Sequence, residues 1–354
     1  MDCTEWMLND EQLREWLKDL LDAGSDVIAP VEEDGVKIFR PISSPEQALI
    51  EESGKTRWSP KEYFFPRTEA LYHYDLSASL VQLRDPEGPE RPQVLVGVRS
   101  CDASGLVRLD EIFLSGTGDP LYAKRRANTT VVSAGCGAAD PECFCTAIGG
   151  SPVGEEGCDV QLVPLEGAWM LRVLTEKGRT LVGNGAAGWG EASAKDTKKI
   201  AALADRVAEQ IERSPVNKQW SQVLEDGFEH GAWDRLAQHC LGCSVCAYVC
   251  PSCSCFDMNH EANAWGGGQI RSWDACTFPL FTQHASGHNP RQTKQQRYRQ
   301  RVLHKFAFRE RDEDPFRCVG CGRCVALCPA GLDIVSTVSA AVEAIREEGA
   351  DAAR

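Results

Sequence analysis

Residues 240–251 read Cys-Leu-Gly-Cys-Ser-Val-Cys-Ala-Tyr-Val-Cys-Pro, and residues 318–329 read Cys-Val-Gly-Cys-Gly-Arg-Cys-Val-Ala-Leu-Cys-Pro. Both are C-x2-C-x2-C-x3-C-P, so any fold of this chain must accommodate two crowded thiol loops. Of 17 cysteines in the 354 residues, 11 lie between Cys240 and Cys328. A disulfide scaffold would account for such density, but disulfide scaffolds are small secreted domains. This chain is large, has an odd number of cysteines, and opens on the acidic, amphipathic MDCTEWMLNDEQLREWL, without the basic head and apolar run of a secretory signal. In a reducing compartment, thiols clustered at short regular spacing are metal ligands. The expected location is the cytoplasm.

The spacing selects the metal. Three thiolates separated by two residues wrap one face of an iron–sulfur cube, and the run is that of two-cluster bacterial ferredoxins, where the fourth cysteine ligates the other cluster. The expected sets are therefore Cys240, Cys243 and Cys246 with Cys328, and Cys318, Cys321 and Cys324 with Cys250. Gly242, Ser244, Gly320 and Gly322 are small enough for the backbone to curl close and donate amides to sulfur. The proline after each fourth cysteine turns the chain away. Structural zinc is the rival, but zinc uses paired knuckles or Cys with His, and needs neither a triplet nor a distant partner.

Other cysteines are less regular. Cys101 and Cys136 each follow a predicted strand, Val94–Val98 and Thr129–Val132, at the end of a sheet where ligands gather in α/β arrangements. Cys143 and Cys145 follow closely. These four thiols are the candidate ligands of a third [4Fe–4S] cluster; the alternatives are buried free thiols or a redox-labile pair. Cys253, Cys255 and Cys276 are one short of a ligand set and stay unassigned. Cys3 and Cys158 read as ordinary residues.

The first half reads as mixed α and β. A helix is expected over 8–23, a second helix starting at Ser44-Pro45-Glu46-Gln47, and a helix from Leu106 to Leu114 with Asp102 as its cap. Strands are expected at Trp169–Thr175 and Arg179–Val182, joined by a hairpin turn at Glu176-Lys177-Gly178. Gly183-Asn184-Gly185-Ala186-Ala187-Gly188 spells G-x-G-x-x-G, but a hairpin strand precedes it and the next 20 residues read as helix. It lacks the second strand and acidic residue of a dinucleotide fold, so it reads as a linker and no bound nucleotide is expected. A helix follows from about Asp196 to Arg213. From Trp220 strand signals vanish, and a last helix runs from about Leu332 to Glu348. The expected organisation is α+β: a mixed α/β domain over 1–190, linker and helix over 191–219, and an all-helical ferredoxin-like domain over 220–354 binding two [4Fe–4S] clusters.

Charge excludes some functions. Lysine and arginine number 38 against 52 aspartates and glutamates, a net charge of −14 that argues against non-specific nucleic-acid binding. No stretch approaches the roughly 20 apolar residues of a membrane span. Against that acidity, His284 to Arg311 carries Arg291, Lys294, Arg297, Arg299, Arg301, Lys305, Arg309 and Arg311 with one acid, Glu310. This is a solvated basic face, positive potential beside anionic clusters, or a docking patch for an acidic partner.

With Cys250 and Cys318 lying 68 positions apart in a helical-looking stretch, the chain resembles the all-helical ferredoxin modules of respiratory-type and heterodisulfide-reductase-type complexes. More specifically, it resembles the 4Fe-4S dicluster subunits of cytoplasmic multisubunit oxidoreductases. These include the beta subunits of soluble NiFe hydrogenases (sulfhydrogenases), the A subunit of anaerobic sulfite reductases, and an iron–sulfur subunit of flavin oxidoreductase–heterodisulfide reductase systems. The matching segments are Gly97-Val98-Arg99-Ser100-Cys101-Asp102, Cys143-Phe144-Cys145-Thr146, both cysteine runs, Ser272-Trp273-Asp274-Ala275-Cys276, and Gly287 through Lys305. The resemblance implies an electron conduit between a flavin subunit that handles NAD(P)H and a terminal hydrogenase or reductase subunit. It also places cysteines at the equivalents of 101, 136, 143 and 145. No serine–histidine pair, metal-binding histidine motif or paired carboxylate offers substrate chemistry, so a non-catalytic electron-transfer subunit is expected. A self-contained iron–sulfur reductase of a small sulfur compound is the alternative, supported only by Cys253, Cys255 and Cys276; a purely structural docking subunit is the third.

Overall fold

The computed structural model describes residues 4–352 except 51–53, 78–79, 87, 89–90, 184–187, 214–215 and 310–315. The chain divides into two compact units, one built from 1–65 and 87–212, the other from 66–86 and 213–354.

The first unit is organised by an eight-stranded sheet. Its strands are β1 (Thr4–Leu8), β2 (Asp26–Glu33), β3 (Val36–Pro41), β6 (Gln93–Arg99), β7 (Thr129–Ala134), β8 (Val160–Leu165), β9 (Ala168–Val173) and β10 (Gly190–Glu191), in the order β10-β1-β9-β8-β7-β6-β2-β3. The neighbours β2, β6, β7 and β8 pair parallel, and the outer strands are antiparallel. The parallel centre explains the unbroken apolar run Val94-Leu95-Val96, buried because both faces of the sheet are covered. On one face lies α1 (Asp10–Asp22), started by a capping box between Asn9 and Gln12. Its stripe of Leu13, Trp16, Leu17 and Leu20 packs on Val27, Val94 and Leu171. Each such side chain contributes about 1.5–3 kcal/mol of burial. The helix expected to start at Ser44 is a single 3-10 turn, Pro45–Gln47, that ends at the extended Ala48, although Gln47 Oε1 accepts from the Ser44 amide at 3.1 Å as a capping residue would.

The structure differs from two further local expectations. The helix after β6 is α2 (Ser100–Phe113), which starts directly at the strand end; Asp102 is a buried residue of its first turn, not its cap. It is followed by α3 (Pro120–Asn128). Residues 176–182 form a helix, α4 (Glu176–Val182), not a strand. Thr175 accepts from the Gly178 amide and caps it, while the hairpin is made one step earlier by β8 and β9 around Glu166-Gly167. Thr175 and Glu176 are an N-cap and a first-turn acid, a helix-start signal that outweighs the turn reading. Of the G-x-G-x-x-G stretch, residues 184–187 lie outside the described residues. Then α5 (Ala194–Ala208), capped by Ser193, lays Ile200, Leu203 and Val207 on Val163 and Met170.

The second unit is not all-helical. It contains a four-stranded antiparallel sheet of β4 (Thr68–Leu76), β5 (Val81–Arg84), β11 (Phe256–Asn263) and β12 (Gly266–Trp273), ordered β11-β12-β4-β5. The strands hide in sequence for a physical reason. Phe-Asp-Met-Asn-His-Glu-Ala-Asn is polar and solvent-exposed from Asp257 onward, so it has no buried face to impose alternation. Its partner opens on Gly266-Gly267-Gly268, where added Cβ atoms would run into the carbonyl oxygens of Tyr74, Glu261 and Tyr72. Around the cysteine loops stand α6 (Trp220–Asp226), α7 (Ala232–Leu236), α8 (Val245–Tyr248), α9 (Lys294–Phe306), α10 (Arg323–Ala326) and α11 (Ile334–Ala352). Tyr298 on α9 hydrogen-bonds Thr337 on α11 at 2.8 Å, and the Arg299 guanidinium stacks 3.6 Å from the Phe228 ring. Among the described residues no helix is long and apolar enough to cross a membrane.

Candidate iron–sulfur centres

The duplication in sequence is a duplication in backbone. Gly242 and Gly320 occupy the same place in their runs and have φ of 67° and 65°; Ser244 and Gly322 likewise have φ of 64° and 73°. Each run thus curls through two left-handed residues before entering a one-turn helix, α8 or α10. A left-handed serine costs about 1–2 kcal/mol. Here Ser244 is buried and held by a 2.6 Å hydrogen bond between its hydroxyl and that of Thr277.

These curls give the first set its site. One cavity is lined by Cys240, Cys243, Cys246 and Cys328, together with Tyr298, Arg301 and, from the second set, Cys324. Backbone amides already point at sulfur: Gly242 donates to Cys240 Sγ at 3.4 Å, and Leu332 to Cys328 Sγ at 3.3 Å. Five thiols line this apolar cavity, the four of the first set and Cys324 of the second, and with amide donors to sulfur they fit the donor chemistry of an iron–sulfur cluster. The site reaches the surface, since Cys243 is exposed and Leu241 is 68% exposed.

The second set lies deeper. Cys250, Cys318 and Cys321 are buried. Burial pushes the Cys318 thiol up to about 12, and the neighbouring Cys250 and Cys321 push the same way against a Gly320 amide that donates to it. Burial likewise raises Cys324, with Arg301 opposing and Cys321, Cys318 and Cys250 adding to the rise. The four thiols of this set therefore share one environment, and iron would supply the positive charge that lets them ionise.

The same region collects the three unassigned cysteines. Cys253 hydrogen-bonds Cys250, which holds the Cys250 thiol low despite burial, with Lys305 and Arg301 assisting. Cys276 is raised by its hydrogen bond to Cys255 and by burial, and Cys253 adds to the rise.

The basic stretch is not a solvated face where it matters. Arg299, Arg301, Lys305 and Arg309 are buried, and Arg297 donates to the backbone carbonyls of Thr277, Arg291 and Gln292. Glu310 and Arg311 lie outside the described residues. Nothing in residue type separates a buried arginine from a solvated one; the available signal was the i,i+4 spacing of Arg301 and Lys305 on one helix face.

In the first unit, Arg99 of β6 pairs with Ala134 of β7, so Cys101 and Cys136 both sit two residues past the same rung at one sheet end. Burial pushes the Cys145 thiol up to about 12, with Cys136 and Cys143 contributing. Cys136 and Cys143 are also raised by burial, opposed by Arg99 and Lys55 respectively. Lys55 is anchored between Asp140 at 2.8 Å and Glu142 at 3.3 Å. Three thiols are thus gathered with two cations close by, and Cys101 stands on the same sheet end. Cys158 is a buried core residue, and Cys3 lies outside the described residues.

Residues 239–332 match the 4Fe-4S dicluster domain family, which implies two [4Fe–4S] clusters. No solved structure matches the chain. The chain is 30% identical over 332 residues to sulfhydrogenase 2 subunit beta of Pyrococcus furiosus, covering 94% of this chain and 96% of the other. Similarity of that extent spans both units, and with the dicluster match it makes this chain a member of the family of iron–sulfur subunits to which the sulfhydrogenase beta subunit belongs.

Proposed function

We propose that this chain is a non-catalytic electron-transfer subunit of a cytoplasmic oxidoreductase complex. It would relay electrons between a flavin subunit that exchanges them with NAD(P)H and a terminal hydrogenase or reductase subunit. The observation that carries this reading is the cavity that brings three cysteines of the first run together with Cys328, and also Cys324, of the second. A cluster held there would supply one-electron exchange. The protein's own part is to hold the thiolates, exclude water and set the surrounding charge. Cys240, Cys243, Cys246 and Cys328 would hold the cluster nearer the surface, and Cys318, Cys321, Cys324 and Cys250 the deeper one. The exposed Cys243 and Leu241 offer a place for exchange with a partner.

Cys101, Cys136, Cys143 and Cys145 would hold a third cluster, for which the shared environment of the last three and the flanking Lys55 and Arg99 speak. The test is iron and acid-labile sulfide in anaerobically prepared protein. About eight irons are expected for two clusters and about twelve for three. Cys328→Ser should remove about four irons and one reduced-state EPR signal. A colourless, EPR-silent wild type overturns the whole reading, and an iron count unchanged by Cys101→Ser overturns the third site alone.

A further inference from the structure

We propose that Lys305 selectively raises the reduction potential of the deeper cluster, while Arg301, placed between the two cysteine sets, raises both, so that an electron arriving at the surface site is drawn inward. The proposal rests on the two-cluster reading above.

Arg301 and Lys305 are one turn apart on α9, and both are buried, 3% and 2% exposed. Such burial of two cations costs several kcal/mol each unless something anionic answers it. Among the described residues the hydrogen-bond partners of these two side chains are carbonyls, a hydroxyl and a sulfur, with no carboxylate among them. The anionic charge available to them is that of thiolate-ligated iron.

Their placements differ. Lys305 Nζ donates to the Ser252 carbonyl at 3.1 Å and to Ser252 Oγ at 2.9 Å, and that hydroxyl lies 3.5 Å from Cys250 Sγ. With the lysine donating to its oxygen, the serine proton is left to point at the sulfur. The Lys305 carbonyl in turn accepts from the Cys318 amide at 3.3 Å. One residue is thereby fastened to a ligand from each of the two runs, and both ligands belong to the same set. Arg301 instead faces both sets, since it lines one cavity with the four cysteines of the first and with Cys324 of the second. Its Nη2 donates to the Cys246 carbonyl at 2.6 Å and its Nη1 to Cys253 Sγ at 3.4 Å, and it lines the cavity of the first set.

The asymmetry answers an electrostatic problem. Reduction adds negative charge, and a buried site with little solvent resists it more than an exposed one. An electron would therefore stop at the surface site of Cys243. A fixed cation beside Cys250 and Cys318 offsets that resistance at the deeper site alone.

The experiment is an anaerobic redox titration of the whole chain followed by EPR, with iron counted in every sample. Lys305→Met should lower one midpoint by at least 59 mV, a tenfold change in a one-electron equilibrium, and leave the other nearly in place. Lys305→Arg should restore it, and Arg301→Met should lower both. Full iron content with unmoved midpoints, or with both moved equally by Lys305→Met, overturns the proposal. Should Lys305→Met lose iron, Ser252→Ala decides: it should lower the same single midpoint by a smaller amount, and an unchanged midpoint overturns the proposal. A wild type without iron refutes the two-cluster reading instead.

Discussion

Glu69 and Arg271 face each other across the β4–β12 pair, with side chains 5% and 4% exposed. The arginine Nε donates to Glu69 Oε1 at 3.0 Å, its Nη2 contacts the same oxygen, and its guanidinium lies 5.3 Å from the Phe256 ring centre. Glu69→Ala removes the anion and leaves the cation in place, the situation in which breaking a buried pair costs about 3–5 kcal/mol. At about 1.4 kcal/mol per decade, 3 kcal/mol is about a 150-fold increase in local opening. A solvent-exposed pair would cost under about 1 kcal/mol, or about fivefold. Amide hydrogen exchange read by mass spectrometry on the intact, cluster-loaded protein reports that opening directly. The β4 and β12 amides should exchange about 150-fold faster or more, while those of β6 and β7 in the other unit keep their rates. Glu69→Met with Arg271→Met, which removes both charges, should recover most of the protection. Exchange in Glu69→Ala within fivefold of wild type would refute the reasoning that this buried pair holds β4 to β12.

Two further outcomes test the first unit. A Cβ on Gly178 would overlap the Asp159 carbonyl and crowd Val160 Cγ2 at 3.0 Å, so Gly178→Ala should destabilise by about 1–3 kcal/mol in spite of its better helix propensity. Calorimetry should show a lower transition temperature, and an unchanged or raised one contradicts the packing. Tyr122 donates to Asp110 Oδ1 at 2.7 Å, and burial, then the Asp110 charge, push its phenol far above the ordinary value. Stability from the protonated phenol is complete below about pH 10, where the unfolded tyrosine ionises, and is lost as pH rises beyond. Wild type and Tyr122→Phe should therefore show the same reversible rise in absorbance at 295 nm while folded; a larger rise in wild type would show that Tyr122 ionises with the exposed tyrosines.

How much of this was legible beforehand follows from the range of the interactions involved. The cysteine runs and their small residues declare the chemistry because ligand spacing is a local, covalent constraint; the matching left-handed residues at 242 and 320 and at 244 and 322 are its backbone expression. The first helix and the apolar strands were equally local, written in periodicity and capping residues. The helix at 176–182 was obscured because Gly178, which reads as turn chemistry, is there to let α4 lie against the Asp159 carbonyl.

Sequence alone pointed the two matched thiol runs to iron–sulfur metal, since C-x2-C-x2-C-x3-C-P is a ligand spacing written within a dozen residues. Tertiary structure decided which charges accompany them. A strand like β11, exposed from Asp257 onward, has no pattern to betray it; its place comes from β12 and, through β12, from β4, almost two hundred residues away. Arg301 and Lys305 look in sequence like their basic neighbours, and only packing takes them out of water. Burial is a property of what surrounds a side chain, and long-range contacts that a linear reading does not contain set that surrounding.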